Sequence, residues 1–123
     1  MRIQPVLLAL VVLGGASAAH ADPARGKMLF REQCGLCHAA APGDGESGIG
    51  PDLLGVVGRK AAGVAGFSYT DAMTKSGLTW TRENLDKFLN NPQAVVVGTS
   101  MPIGVADAKD RQDLVDYLEG VKK

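Results

Sequence analysis

The chain has 123 residues, with 13 Lys and Arg against 13 Asp and Glu and a formal net charge of zero. This length is enough for one small domain. The even charge balance argues against a nucleic-acid-binding protein, and no polybasic run indicates attachment to a membrane surface. With only two cysteines and two histidines, His20 and His38, the chain offers few ligands for a structural zinc site.

The first 21 residues are typical of a secretory signal peptide. Their start is positively charged, residues 5–19 are uncharged and mostly Leu, Val and Ala, and Ala19-His20-Ala21 is a small-x-small cleavage site. The alternatives are a cut after Ala18 and a retained anchor, although a membrane-spanning helix needs about 20 apolar residues. We predict cleavage after Ala21, a mature domain over 22–123 with a formal charge of −1, and a periplasmic location.

Capping residues, and apolar residues at three- and four-residue spacing, predict four helices in the mature chain. In chain order these are a helix from Asp22-Pro23 into the cysteines, a short helix over 70–76, a helix over 82–90 and a helix from Asp107 to 121. The expected N-caps of the first, third and last are Asp22, Thr79 or Thr81, and Asp107. No segment alternates as a strand does, so the predicted fold class is all-α.

The most specific motif is Cys34-Gly35-Leu36-Cys37-His38. Two thiols three residues apart, followed at once by an imidazole, form the attachment pattern of a c-type haem. Residues i and i+3 of a helical turn share a face, so Cys34 and Cys37 can each bond one vinyl group of a single porphyrin. The alternatives are a thioredoxin-like dithiol, a disulfide or half of a zinc site. A dithiol would need a βαβ context, which the flanking sequence does not offer.

The stretch from residue 39 to 66 holds eight glycines and no credible helix. A loop this long is unusual in a compact domain unless a ligand organises it. A flat apolar cofactor would do so, and it would also supplement a core that has only six aromatic residues. We therefore predict that the haem-free chain is poorly folded.

If His38 is one axial ligand, a methionine is the natural second. Met28 shares a helix with the cysteines and cannot easily reach the other haem face, whereas Met73 falls in a predicted helical turn. Met101 lies in a predicted extended segment over 92–102 that could cross the far face. A core-filling role for Met101 is the alternative.

Taken together, these landmarks resemble those of the class I c-type cytochromes, the family of mitochondrial cytochrome c and its bacterial relatives. The resemblance spans the mature chain, with these motifs in order: Gly26 and Phe30, Cys34 to His38, Gly50-Pro51, Gly58 to Lys60, Gly66 to Ala72, Gly77 to Trp80, Leu89 to Pro92, Gly98 to Met101, and Leu114 to Tyr117. It implies the small cytochrome c fold, with three to five helices and long glycine-rich loops around one covalent haem.

The resemblance also implies roles for individual residues. Met101 would be the second axial ligand, the carbonyl of Pro51 would accept a hydrogen bond from His38, and Gly26 would let the first helix cross closely over the last. Four donors would hold the haem propionates, the last of them there or on the distal side: Arg59, Tyr69, Trp80 and Thr99. Phe88 and Met73 replace a tyrosine and an asparagine of many relatives, so a drier distal pocket is expected.

The function expected from the resemblance is that of a monomeric periplasmic electron carrier, not an enzyme. It would dock briefly with a donor, a quinol-oxidising complex or dehydrogenase, and then with an acceptor, an oxidase, reductase or reaction centre. We expect an apolar docking surround of Ala39–Ala41, Val95–Val97 and Ile103. Four lysines would steer the approach: Lys27, Lys60, Lys75 and Lys87. The alternatives are a haem enzyme or gas sensor with an open iron position, and a haem-free thiol redox protein.

Overall fold

The computed structural model describes residues 14–15 and 21–122. Within them the chain forms five helices: α1 (Pro23–Gln33), α2 (Asp71–Lys75), α3 (Arg82–Asn90), α4 (Pro92–Val95) and α5 (Ala108–Gly120). Extended pairing among the described residues is limited to two isolated bridges, Ala39 with Gly45 and Lys60 with Thr79. The all-α class is therefore confirmed. The predicted signal peptide lies almost wholly outside the described residues, of which it contains only Gly14, Gly15 and Ala21.

Each helix begins where a polar side chain accepts a backbone N–H of the first turn, which satisfies a donor that has no partner inside the helix. The five N-caps are Asp22, Thr70, Thr81, Asn91 and Asp107. Between the two candidates for α3, the structure selects Thr81, whose hydroxyl accepts from Asn84 N at 3.1 Å. Gly77 follows the Ser76 C-cap of α2 and has φ 66°, a left-handed conformation that favours glycine. The predicted end of this helix at Gly77 is therefore confirmed.

The crossing of α1 and α5 organises the domain. A Cβ on Gly26 would lie 1.9 Å from the carbonyl oxygen of Asp113, so the two backbones meet where α1 has no side chain. Beside this point the rings of Phe30 and Tyr117 pack with centroids 5.5 Å apart. Arg25 of α1 adds a hydrogen bond of 2.7 Å to the buried Asp113. The close crossing predicted at Gly26 is therefore confirmed, and it depends on the absence of a side chain there.

The glycine-rich segment between α1 and α2 contains no helix, as predicted. Its first part is held against the cysteine turn by three backbone hydrogen bonds: Glu46 N to Gly35 O at 3.0 Å, Gly50 N to Cys37 O at 2.8 Å, and Leu53 N to Ala39 O at 2.8 Å. These bonds replace the secondary structure that the segment lacks, because buried backbone donors need partners. The segment therefore lies against the end of α1.

The extended conformation predicted for residues 92–102 is wrong at its start, where α4 forms one helical turn. Asn91 ends α3 and also caps α4, since its side-chain oxygen accepts from Ala94 N at 3.2 Å. Pro92 then occupies the first helical position, where its missing N–H costs nothing. The same Asn-Pro pair that stops one helix therefore starts another. Beyond α4 the chain turns at Gly98, with φ 95°, and runs without regular structure through Met101.

Candidate functional site

An apolar cleft lies beside the end of α1, with an empty volume of about 1050 Å³ that includes space open to solvent. Its floor is built from aliphatic and aromatic side chains of the core: Leu53, Val56, Leu85, Phe88, Leu89 and Leu118. A cleft of this size and lining is suited to a large, flat, mostly apolar ligand. The polar and sulfur-containing side chains at its walls decide which ligand it can hold.

The cysteine motif forms a helical turn directly after α1. Cys34 N donates to Phe30 O at 2.8 Å, and His38 N donates to Cys34 O at 2.9 Å, so the helical path continues past Gln33. Cys34, Cys37 and His38 all line the cleft, and both thiols are free. The i, i+3 relation predicted from the motif therefore places both sulfurs at one wall, next to the imidazole.

The His38 ring is held in one orientation. Its Nδ1 lies 2.8 Å from the carbonyl oxygen of Pro51. A carbonyl only accepts, so Nδ1 carries the proton and Nε2 keeps a lone pair. Burial lowers the pKa of His38, and the hydrogen bond to Pro51 partly opposes that shift. A Cβ on Gly50 would lie 2.3 Å from the ring, so glycine is needed there. The imidazole is therefore neutral and preorganised as a metal ligand.

The thiol of Cys34 is poorly suited to dithiol chemistry. Burial, together with the neighbouring Cys37, raises its pKa to about 11. Reactive thiols have a lowered pKa because the thiolate is the nucleophile. This environment disfavours a thiol–disulfide redox protein and is compatible with a cysteine used for covalent attachment.

Met101 also lines the cleft and is partly buried. Its backbone N–H donates to the Thr99 hydroxyl at 3.4 Å, and Gln93 of α4 donates to the Thr99 carbonyl at 2.7 Å. The segment that carries Met101 is thus tied to α4. Met73 and Phe88 line the same cleft, whereas Met28 is exposed on α1. Two of the three mature-chain methionines therefore face the space where a ligand would lie.

Arg59, Tyr69 and Trp80 bring polar groups to the lining of the cleft. Arg59 donates from Nη2 to Asp52 O at 2.9 Å and from Nη1 to Leu54 O at 3.2 Å, while its Nε is buried without a partner among the described residues. The hydroxyl of Tyr69 accepts from a backbone N–H, which leaves its own proton to donate. An unpaired buried donor is costly unless an acceptor belongs there.

The groups that line the cleft fit a haem. It supplies apolar walls for a porphyrin, two thiols and an imidazole at one wall, a thioether on another segment and an unpaired guanidinium N–H suited to a carboxylate. The donor set is therefore the one that a covalently attached haem requires.

In a comparison with protein-family models, the model for cytochrome c matches residues 23–122. The chain belongs to the cytochrome c family. It is therefore an electron carrier whose cofactor is a covalently attached haem c, and Cys34 and Cys37 have the spacing that such attachment needs.

Individual relatives support this membership. The chain is 44% identical to cytochrome c2 of Rhodomicrobium vannielii over 119 residues, which cover 96% of this chain and 93% of that protein. Among solved structures, cytochrome c2 from Rhodospirillum centenum matches with a TM-score of 0.75 and 32% identity, covering 84% of this chain and all of that one. Cytochrome cH from Methylobacterium extorquens matches with a TM-score of 0.72 and 40% identity, covering 80% and 97%.

All nine residues predicted to contact the cofactor line this one cleft: Cys34, Cys37, His38, Pro51, Arg59, Tyr69, Trp80, Thr99 and Met101. Sequence reasoning missed the aliphatic floor of the cleft, because a core leucine and a haem-contacting leucine have the same pattern in sequence. It also missed Asp44, which is buried beside α1 and α5. An Asp between two glycines ordinarily indicates an exposed turn, so the sequence carries no signal for its burial.

The predicted docking surround needs correction. Ala40 and Val96 are only 4% and 3% exposed, so neither belongs to a surface. Val96 donates to the Pro92 carbonyl and packs into the core as part of the α4 turn that the sequence did not predict. Two of the predicted steering lysines are engaged with carboxylates: Lys27 lies 3.7 Å from Asp44, and Lys87 lies 2.8 Å from Glu83.

Proposed function

We propose that Cys34 and Cys37 attach the haem and that His38 and Met101 are the axial ligands of its iron. The observation that carries this proposal is the convergence of both thiols, the imidazole and the thioether on one apolar cleft. When bound, the haem supplies reversible one-electron transfer. With both axial positions filled by the protein, no open iron position remains for a substrate, so we propose a carrier and not an enzyme.

The remaining residues would hold and tune the group. Pro51 fixes the imidazole plane of His38 and increases its basicity through the Nδ1 hydrogen bond. The Arg59 Nε, the Tyr69 hydroxyl and the Trp80 indole are donors suited to propionates. Thr99 holds the backbone of Met101 from two residues away. Met73 and Phe88 keep polar groups off the cleft, which favours a dry pocket around the thioether.

We also propose that residues 1–21 are a cleaved leader and that the mature domain works in the periplasm, where the cysteine motif would receive its haem. Within residues 14–15 and 21–122, no helix has the length and apolar character needed to cross a membrane. Mass determination of the mature protein from the periplasmic fraction tests this. We expect an N-terminus at Asp22, whereas a retained leader or a cytoplasmic location would contradict the proposal.

The axial ligands are tested by absorption spectra of the periplasm-expressed protein and a Met101→Ala variant. We expect a low-spin c-type spectrum with a methionine-to-ferric-iron charge-transfer band that the variant lacks. Met28→Ala is the matched control, since Met28 lies on the exposed face of α1 and should leave the band unchanged. A high-spin spectrum, or ready binding of carbon monoxide by the reduced protein, would instead indicate a haem enzyme or gas sensor.

For partner docking, we propose an uncharged apolar surface at the mouth of the cleft. Ile49 lines the cleft and is 74% exposed, Leu36 lies between the two cysteines and is 83% exposed, and Ile103 follows the cleft residue Pro102 and is 61% exposed. Exposed apolar patches of this kind mark interaction sites. Partners would be redox proteins that form brief complexes, a quinol-oxidising complex or dehydrogenase as donor and an oxidase, reductase or reaction centre as acceptor.

The docking proposal predicts that Ile103→Asp slows electron transfer with the partner in native membranes on the order of tenfold, because a charge would be buried without a partner. Reduction by a small-molecule reagent should be unchanged. Met28→Asp is the control, since it adds the same charge at an exposed apolar residue that does not line the cleft. Equal slowing by both variants would indicate a general charge effect and contradict the docking surface.

A further inference from the structure

A buried carboxylate outside the cleft is not explained by haem binding alone. Asp44 stands between Gly43 and Gly45 in the loop that joins His38 to Pro51, and it is 1% exposed. Both glycines adopt φ 82°, a left-handed conformation that lets the chain reverse direction there. The turn therefore directs the Asp44 side chain inward, where a charged group is costly unless it is fully paired.

The Asp44 carboxylate is paired with both helices of the central crossing. Arg31 of α1 donates from Nε to Asp44 Oδ1 at 2.8 Å, and its Nη2 lies 2.6 Å from the same oxygen. Tyr117 of α5 donates its hydroxyl proton to Oδ2 at 2.5 Å. The hydrogen bond from Tyr117, with help from Arg31, holds the pKa of Asp44 below its usual range despite burial. The loop is thus attached to α1 and α5 at one ionised group.

The attachment is transmitted along the loop by the backbone. Asp44 O accepts from Ala40 N at 3.0 Å, and Asp44 N donates to Ala41 O at 2.9 Å, so the stretch just after His38 is a closed turn. On the other side, Gly50 N donates to Cys37 O at 2.8 Å and places Pro51 beside the His38 ring. Asp44 therefore sits between the two residues that form the His38–Pro51 hydrogen bond.

Asp113 also joins the two helices at their crossing. It is a second fully buried carboxylate, and it joins α1 to α5 through Arg25 at 2.7 Å while Lys109 lies at 2.5 Å. Since a buried ion pair often contributes little net stability, a second one at the same crossing suggests a role in fixing conformation. The difference is that Asp44 belongs to the loop and attaches it to the two helices, whereas Asp113 belongs to α5.

We propose that Asp44 is a positioning residue that fixes the loop between His38 and Pro51 and thereby maintains the hydrogen bond that tunes the axial imidazole. The proposal rests on the proposed function, in which His38 ligates the haem iron. A firm Nδ1 hydrogen bond makes the imidazole a stronger donor and favours the oxidised iron. Loosening the loop should therefore weaken the bond and raise the midpoint potential.

Three substitutions separate positioning from a simple charge effect. If Asp44 acts only through its charge, Asp44→Asn raises the potential, Arg31→Gln lowers it, and Tyr117→Phe leaves it unchanged. If Asp44 positions the loop, all three raise it, because each removes one arm of the same attachment. The decisive variants are Arg31→Gln and Tyr117→Phe, which also keep the test valid should Asp44→Asn fail to fold. Potential shifts whose signs follow the charge that each variant removes would overturn the proposal.

A second measurement reports directly on the hydrogen bond between His38 and Pro51. In the reduced holoprotein, exchange of the His38 Nδ1 proton with solvent should become about tenfold faster or more in each variant, the factor expected when one hydrogen bond to a charged group is lost. Asp113→Asn is the matched control, since it removes an equally buried carboxylate from the same crossing. It should lower thermal stability without changing the proton exchange.

The outcomes distinguish this inference from the proposed function. An intact charge-transfer band with an unchanged potential and unchanged proton exchange would overturn the role of Asp44 and leave the haem ligation standing. Equally accelerated proton exchange in Asp113→Asn would also overturn it, because general loosening would then be the cause. Absence of the band in the unsubstituted protein would overturn the proposed ligation, and the inference with it.

Discussion

At the scale of single residues, glycines are required where the backbone meets another group. At Gly26 the obstacle is the carbonyl oxygen of Asp113, which belongs to the backbone of α5 and cannot rotate away. At Gly50 it is the His38 ring, which the hydrogen bond to Pro51 holds in place. A Cβ on Gly120, in the last turn of α5, would meet no atom within 4 Å. The same residue type therefore has opposite consequences at different positions.

We predict that Gly26→Ala lowers the free energy of unfolding by about 1–3 kcal/mol, the usual cost of overpacking, even though alanine is the better helix former. Gly120→Ala, the control, should raise it by about 0.5–1 kcal/mol because its helical position has open space. Guanidinium denaturation of the holoproteins measures both. A neutral or stabilising Gly26→Ala would mean that α1 and α5 are farther apart than the structure shows.

At the scale of elements, the loop between residues 60 and 66 carries backbone strain. Ala62 has φ 58°, and among the described residues it is the one non-glycine with positive φ. The loop is held at both ends: Lys60 pairs with Thr79, and Val64 N donates to the Tyr69 hydroxyl at 3.0 Å. The contacts at these ends, and not the preference of Ala62, therefore determine the path of the loop.

We predict that Ala62→Gly stabilises the holoprotein by up to about 1 kcal/mol. Relief of the left-handed conformation, worth roughly 1–2 kcal/mol, outweighs the roughly 0.4–1 kcal/mol of extra entropy that glycine gives the unfolded chain. Ala65→Gly in the same loop has no strain to relieve and should be destabilising. Thermal unfolding of the two variants measures the difference, and the reverse order would show that Ala62 is not strained.

At the scale of the whole molecule, core and cleft are formed by the same side chains. Trp80, Leu85 and Leu118 are buried core residues, and they also line the cleft of about 1050 Å³. An apolar cleft left without its ligand loses packing contacts on one side, and a domain of this size has little other apolar area to compensate. The cofactor is therefore expected to complete the core.

We predict that the haem-free mature chain, produced where haem attachment does not occur, shows no cooperative thermal transition, while the holoprotein unfolds cooperatively. Calorimetry of residues 22–123 with and without haem measures this. A Cys34→Ala variant, which keeps His38 and Cys37, should unfold with a cooperativity between those of the haem-free chain and the holoprotein. A haem-free transition that matches that of the holoprotein would show that the chain builds its core alone.

Helix bounds were predictable because capping and apolar spacing act over a few residues. The bounds of α3 match those predicted, and the other predicted helices differ by one or two residues at their ends. The exception is α4, where a short turn begins at the Asn-Pro pair that ends α3, since one side chain can end one helix and cap the next. The burial of Val96, which removes this residue from the predicted docking surround, follows from that missed turn.

By itself, the sequence determined the all-α class, the family and the haem attachment motif, because these depend on contiguous residues and on the order of landmarks along the chain. The axial role of Met101 and the leader peptide stay predictions. Only the tertiary structure decided the partners of Asp44 and Arg59. The Asp44 carboxylate meets Tyr117 from the far end of the chain, and the Arg59 guanidinium meets the backbone carbonyls of Asp52 and Leu54. A carboxylate in a turn and a guanidinium in a loop acquire a role only when folding removes water and leaves specific partners within hydrogen-bond distance.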